Sequence, residues 1–80
     1  MKTITVCYFA MFREHAGVAE ESLSLEAETA RDVFEFTRDR HGSTEPNGPC
    51  KVAINDHMAD WETPVSDGDI VLLFPPVAGG

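Results

Sequence analysis

The sequence predicts an α+β domain in which one main helix covers a single face of a mixed sheet. Three observations lead there. Apolar residues alternate with period two near both ends of the chain, one central segment has helical period with start and stop signals, and 80 residues suffice for one small core. The hydrophobic fraction of 42% with 25% charged residues is that of an ordinary globular domain.

Ile4, Val6, Tyr8, Ala10 and Phe12 fall on one face of a first strand, and Thr5, Cys7, Phe9 and Met11 on the other. Arg13 to Gly17 reads as a turn. Ser22 to Leu25 alternates polar with apolar and forms a second, half-buried strand, paired with the first as a hairpin. Thr29 followed by Asp32 is a capping-box start, so a helix should begin at Ala30. Ala30, Val33, Phe34 and Thr37 recur at helical spacing, Arg38 and Arg40 sit near the negative helix end, and Gly42 can take a left-handed cap near His41.

Ser43 to Pro49 is expected to be an irregular loop. Lys51 to Asn55 alternates around Val52 and Ile54, and the Asn55-Asp56 turn returns the chain through Met58. Trp61 to Ser66 connects to a tight Asp67-Gly68-Asp69 turn and to Ile70 to Phe74, the most continuously apolar run, expected as a central strand. Pro75 and Pro76 cannot donate to a ladder, so residues 1–76 form the domain and Val77-Ala78-Gly79-Gly80 a flexible tail. Parity sets Phe9, Met11, Ile70, Leu72 and Phe74 against Val6, Tyr8, Val71 and Leu73. If the helix covers the second set, the first is an exposed apolar patch suited to docking.

Six Lys and Arg against 14 Asp and Glu give a net charge of −8, a field that repels nucleic-acid phosphates and anionic lipid. The run from Ile4 to Phe12 after Lys2, with Ala16 to Ala19 as a small-residue site, imitates a secretion signal. Thr3 and Thr5 interrupt it and the fold needs the strand, so the chain reads as cytoplasmic. Two cysteines, Cys7 and Cys50, fit reduced thiols better than a disulfide framework.

Side-chain chemistry is sparse. His15, His41 and His57 lie on three predicted loops without zinc-site spacing, so they read as surface histidines and no metal is expected. Cys50 stands beside Lys51 but lacks an orienting base. Glu20, Glu21, Glu26 and Glu28 read as a run that solvates a strand edge, and Asp67-Gly68-Asp69 is too short for a calcium loop. No nucleophile, base and orienting acid converge. The Gly79-Gly80 end differs: two residues without Cβ atoms put the terminal carboxylate on a chain narrow enough to thread a channel.

The segment Leu73-Phe74-Pro75-Pro76-Val77-Ala78-Gly79-Gly80 resembles the C-terminal signature of the small subunit of molybdopterin synthase, the MoaD family of ubiquitin-like sulfur carriers. Phe9 to Gly17 resembles the family's first strand and turn, Val52 to Asn55 its middle strand, and Thr63 to Asp69 the turn before its last strand. The Ser43 to Pro49 loop and Trp61 match no family motif.

The resemblance implies a ubiquitin-like β-grasp fold and a carrier not catalytic alone. An E1-like enzyme uses ATP to adenylate the carboxylate of Gly80, a sulfur donor protein converts it to a thiocarboxylate, and the large subunit, in a heterotetramer, passes the sulfur to a cyclic pyranopterin precursor. Two charged carriers serve each dithiolene. On this reading Gly80 is the reacting terminus, Gly79, Ala78, Val77, Pro76 and Pro75 thread the channel, and Phe9, Met11, Leu72 and Phe74 bind the partners. A ubiquitin-like modifier, a carrier for thiamine or thionucleoside synthesis, and an acidic binding module without terminal chemistry are the alternatives.

Overall fold

The computed structural model describes residues 1–42 and 50–76; the loop expected over Ser43 to Pro49 and the tail expected over Val77 to Gly80 lie outside the described residues. The chain runs β1 (Lys2–Tyr8), α1 (Met11–Ala16), β2 (Glu20–Leu25), α2 (Ala30–His41), β3 (Lys51–Ile54), β4 (His57–Ala59) and β5 (Ile70–Phe74). The strands form one mixed sheet in the order β2-β1-β5-β3-β4. β1 and β5 pair in parallel at its centre, and every other pair is antiparallel. This is the β-grasp arrangement, with α2 on one face.

Alternation decides the faces. Ile4, Val6 and Tyr8 of β1 and Val71 and Leu73 of β5 are buried beneath α2, which contributes Ala30, Val33, Phe34 and Thr37 as its spacing predicts. Phe34 is almost wholly buried between the edge-on rings of Phe12 and Trp61, so truncating it to alanine should cost roughly 3–5 kcal/mol. Trp61, silent as a motif, thus has a packing role. The helix ends where its sequence signals place them. Asp32 accepts the N–H of Thr29 at 3.2 Å and that of Glu28 at 2.9 Å, and Gly42 closes the other end with φ +69°. These two backbone donors, from Glu28 first, hold the Asp32 carboxyl below the usual range.

The turns also follow their chemistry. Asn55 and Asp56 both have positive φ, the geometry of a two-residue hairpin that Asn and Asp tolerate. Asn55 accepts the N–H of Ile70 at 3.0 Å and donates to Asp69 at 2.9 Å, which locks the hairpin to the start of β5. Gly68, at φ +91°, donates to Thr3, while Asp67 accepts the Thr3 N–H at 2.6 Å. The two aspartates therefore brace backbone at a turn. Lys2 reaches the carbonyls of Ala27 and Val65, at 2.7 and 2.9 Å, and ties β1 to both following connections.

One expected element is wrong in extent. The first strand stops at Tyr8, four residues short of Phe12, because Ala10 turns to φ +51° and breaks the ladder. The expected turn over Arg13 to Gly17 is the latter part of α1 and its left-handed cap, where the Gly17 N–H bonds Arg13 at 2.9 Å. Phe12 is still buried, but helical packing of α1 puts it there.

Candidate functional site

The end of the molecule where the chain leaves the sheet is defined by the two central strands. β1 and β5 run in the same direction and stop together, with Tyr8 opposite Leu73. Beyond that pair, Phe9 and Phe74 stack with ring centroids 4.7 Å apart and planes 16° from parallel. The stack lies on the face away from α2, and Pro75 and Pro76, half-buried, follow it at once. The ladder ends there because neither proline carries an N–H.

The open face continues inward from the stack. Cys7, Leu72, Ala53 and Met58 are successive cross-strand partners and so project on one side. Of the four residues expected to bind partners, Phe9, Leu72 and Phe74 share this face, each half-buried. Met11 does not join them through strand parity: it opens α1 and is partly buried against the core. Met58, 67% exposed, occupies the face instead, together with Ile70. Met58 was legible only once the β3–β4 register was fixed, since β4 is three residues long and has no pattern of its own.

On the helix side of the same end, a polar clasp closes the structure. Tyr8 donates its hydroxyl to one oxygen of Glu21 at 2.5 Å, and His41 Nε2 lies 2.5 Å from that oxygen. Arg40 approaches the second oxygen at 3.3 Å. The clasp joins the end of β1, the start of β2 and the last turn of α2. Burial alone would push the Glu21 carboxyl up, but hydrogen bonds from Tyr8 and His41, with the charges of His41 and Arg40, hold it below the usual range. Burial first, and then the Glu21 bond, push the Tyr8 phenol far above its ordinary value. Tyr8 is thus a fixed donor, unsuited to act as a nucleophile.

Two sequence expectations change here. His41 is the final residue of α2 and half-buried in the clasp, His15 lies in α1, and His57 opens β4, so none of the three is on a loop. Glu21 is no solvating acid, because its pairing with Val6 in the β1–β2 register turns it under Tyr8 and His41. Contacts between residues 13, 20 and 33 positions apart leave no local sequence signal. Among the described residues no three His, Cys, Asp or Glu side chains cluster as metal ligands would. Cys50 is buried in the core, and burial, followed by the charges of Glu20 and Asp56, pushes the Cys7 thiol up.

Among the described residues this geometry supplies no side-chain reaction centre, yet it builds a root at Leu73 to Pro76, with an aromatic stack on one side and a polar clasp on the other. The ThiS family model matches residues 6–80, a span that includes root and terminus together. The chain belongs to the ThiS family. It is 31% identical to the molybdopterin synthase sulfur carrier subunit of Escherichia coli strain K12, over 96% of this chain and 99% of that one. Among solved structures, a chain of the protein–protein complex of subunits 1 and 2 of the molybdopterin-converting factor from Helicobacter pylori matches with 32% identity and a TM-score of 0.62, covering 98% and 99% of the two chains. Small archaeal modifier protein 1 of Methanosarcina acetivorans matches with 27% identity and a TM-score of 0.81, covering 100% and 98%. No described helix of this ThiS-family chain is long and apolar enough to cross a membrane.

Proposed function

We propose that this ThiS-family protein is the sulfur carrier subunit of a cytoplasmic molybdopterin synthase, with the C-terminal carboxylate of Gly80 as its reacting group. The observation that carries the reading is the match to a sulfur carrier subunit over 96% of this chain and 99% of that one, on a root whose described residues offer no reactive side chain. A carboxylate is a poor electrophile. An E1-like partner therefore joins it to AMP from ATP, releasing pyrophosphate, and sulfide-level sulfur released by a donor protein displaces AMP to leave a thiocarboxylate. In the synthase large subunit the thiocarboxylate sulfur attacks a carbon of the pyranopterin precursor and displaces an oxygen substituent, and hydrolysis of the resulting acyl–sulfur link leaves the sulfur on the product and returns the Gly80 carboxylate. Each dithiolene consumes two charged carriers.

Gly79, Ala78, Val77, Pro76 and Pro75 serve as the threading segment, and Phe9, Leu72 and Phe74 dock the carrier on each partner in turn. Intact mass spectrometry of protein isolated from its own cells tests the proposal: one terminal oxygen should be replaced by sulfur. A terminus that stays entirely carboxylate in cells making the cofactor would refute it. The likeness to an archaeal modifier protein supports a second use of the same carboxylate, an isopeptide link from Gly80 to a lysine of another protein. Peptide mapping of cellular conjugates distinguishes the two.

A further inference from the structure

The cations of this acidic protein are unevenly placed. Lys51 pairs with Phe74 across β3 and β5, Arg13 lies in α1 just beyond the end of β1, and Arg38 lines a shallow depression with Tyr8, Phe12 and Leu73. All three therefore sit at the end from which the tail departs. The remaining cations are Arg40, held in the clasp, and two at the opposite end. Those two are occupied internally: Arg31 pairs with Glu62, and Lys2 donates to two backbone carbonyls. By contrast, among the described residues Arg13, Arg38 and Lys51 have no carboxylate within salt-bridge distance, and Arg38 only lays its guanidinium over the Phe34 ring, 5.5 Å from its centroid.

The far end carries the contrasting sign. Asp56, Asp67 and Asp69 gather at the turns beside the start of β5, and Glu28 and Asp32 surround the start of α2. Glu14, Glu20 and Asp39 share the Pro75–Pro76 end with these cations, so that end is close to charge balance while the far end is strongly acidic. An anionic partner would repel the molecule as a whole, at net charge −8, and repel it least when the end carrying Arg13, Arg38 and Lys51 leads.

From this arrangement we propose that Arg13, Arg38 and Lys51 form a cationic collar that docks on an acidic protein rim surrounding the channel that receives the tail. The inference rests on the sulfur-carrier reading and adds the chemistry of the partner's surface to it. The apolar stack supplies contact once docked; the collar orients the approach. Unpaired cations cost nothing to free from internal bonds, so their charge is available for steering.

The test measures association of the full-length carrier with the synthase large subunit from the same organism, at several salt concentrations. Wild-type association should slow as salt rises. Arg13→Glu and Lys51→Glu should each slow it about threefold and the pair about tenfold, with a smaller change in dissociation. Arg31→Glu alters net charge as much as either single reversal, but at the far end, and should stay within about twofold. If reversal lowers the melting temperature, the Arg13→Gln/Lys51→Gln pair is read instead, with about threefold slowing expected. Wild-type association by the pair while saturable binding persists would overturn the collar and leave the carrier reading standing. Equal slowing by Arg31→Glu would overturn it too, since net charge would then explain the effect. No binding by the wild-type carrier would remove the carrier reading, and the collar with it.

Discussion

Removal of the Phe74 ring is the sharpest probe of the docking face. Phe74 is half-buried and stacked on Phe9 at 4.7 Å, so Phe74→Ala deletes a contact already present in the free protein as well as any contact with a partner. A fully buried Phe costs roughly 3–5 kcal/mol on truncation, and Phe74 keeps the smaller part of its surface in solvent, so the folding penalty should be about 2–3 kcal/mol. A domain of this size holds on the order of 4–12 kcal/mol, and the variant should remain folded. In the complex, a desolvated aromatic anchor is worth about 2 kcal/mol or more, which corresponds to roughly thirtyfold in Kd. Phe9→Ala should act in the same direction. The double variant should lose less than the two singles together, by the ~0.5–1.5 kcal/mol that the stack itself contributes. Calorimetric titration against the large subunit and against the adenylating enzyme measures both affinities, and thermal melting measures the folding penalty. Met11→Ala is the internal contrast: with its side chain partly in the core, it should lower the melting temperature more than it weakens binding. Wild-type affinity of the Phe9→Ala/Phe74→Ala variant for both partners would show that the open face is not the docking surface.

Deleting Gly80, or adding one residue after it, should abolish adenylation and sulfur transfer with the melting temperature unchanged; normal precursor conversion by the truncated carrier would defeat the terminal mechanism. Gly79→Val keeps the carboxylate but adds a β-branched side chain, so docking should persist while adenylate formation and sulfur delivery fall sharply, and wild-type rates in both steps would mean that the channel is wide. Cys7→Ala and Cys50→Ala should each retain transfer, because the sulfur travels on a carboxyl group; loss of turnover by either folded variant would favour a cysteine persulfide. The lowered pKa of Glu21 means that the clasp stabilises the fold above the usual Glu range, near pH ~4.3, and that this contribution is lost as pH falls through the folded value. Glu21→Gln should therefore lower stability at pH 7 by about 1–2 kcal/mol, with the difference from wild type narrowing in acid, and parallel pH profiles would exclude the clasp as its source.

What could be read from the sequence was whatever local chemistry controls. The limits of α2 were legible because Thr29, Asp32 and Gly42 act within a few bonds of the helix ends. The Asn55-Asp56 hairpin and β5 were legible for the same reason. β1 misled at its end because Phe9 to Phe12 keeps a strand-like alternation after the backbone has turned. The contrary signal was Phe12 and Ala16, four residues apart and followed by Gly17, which is the spacing of a short capped helix. The clasp was illegible in principle: Tyr8, Glu21 and His41 meet through a sheet register and a helix end, and each alone has an ordinary surface or core reading.

The chemistry assigned to this chain makes one demand of the fold, that a main-chain terminus be held out from a firm base, and strand order explains how the demand is met. The tail follows β5, which has β1 on one side and β3 on the other. A tail leaving an edge strand such as β2 or β4 would begin where only one ladder resists fraying. Beginning at β5, its root is bonded on both sides until the prolines end the ladder, and such interior strands open last. The parallel pairing adds a second constraint, because it brings the end of β1 to the same place and supplies Phe9 and Tyr8 to the two faces of that root. Phe9 stacks on Phe74 above the sheet, and Tyr8 enters the clasp below it. Loosening either side should weaken the root at Leu73 and Phe74 without altering the carboxylate that reacts.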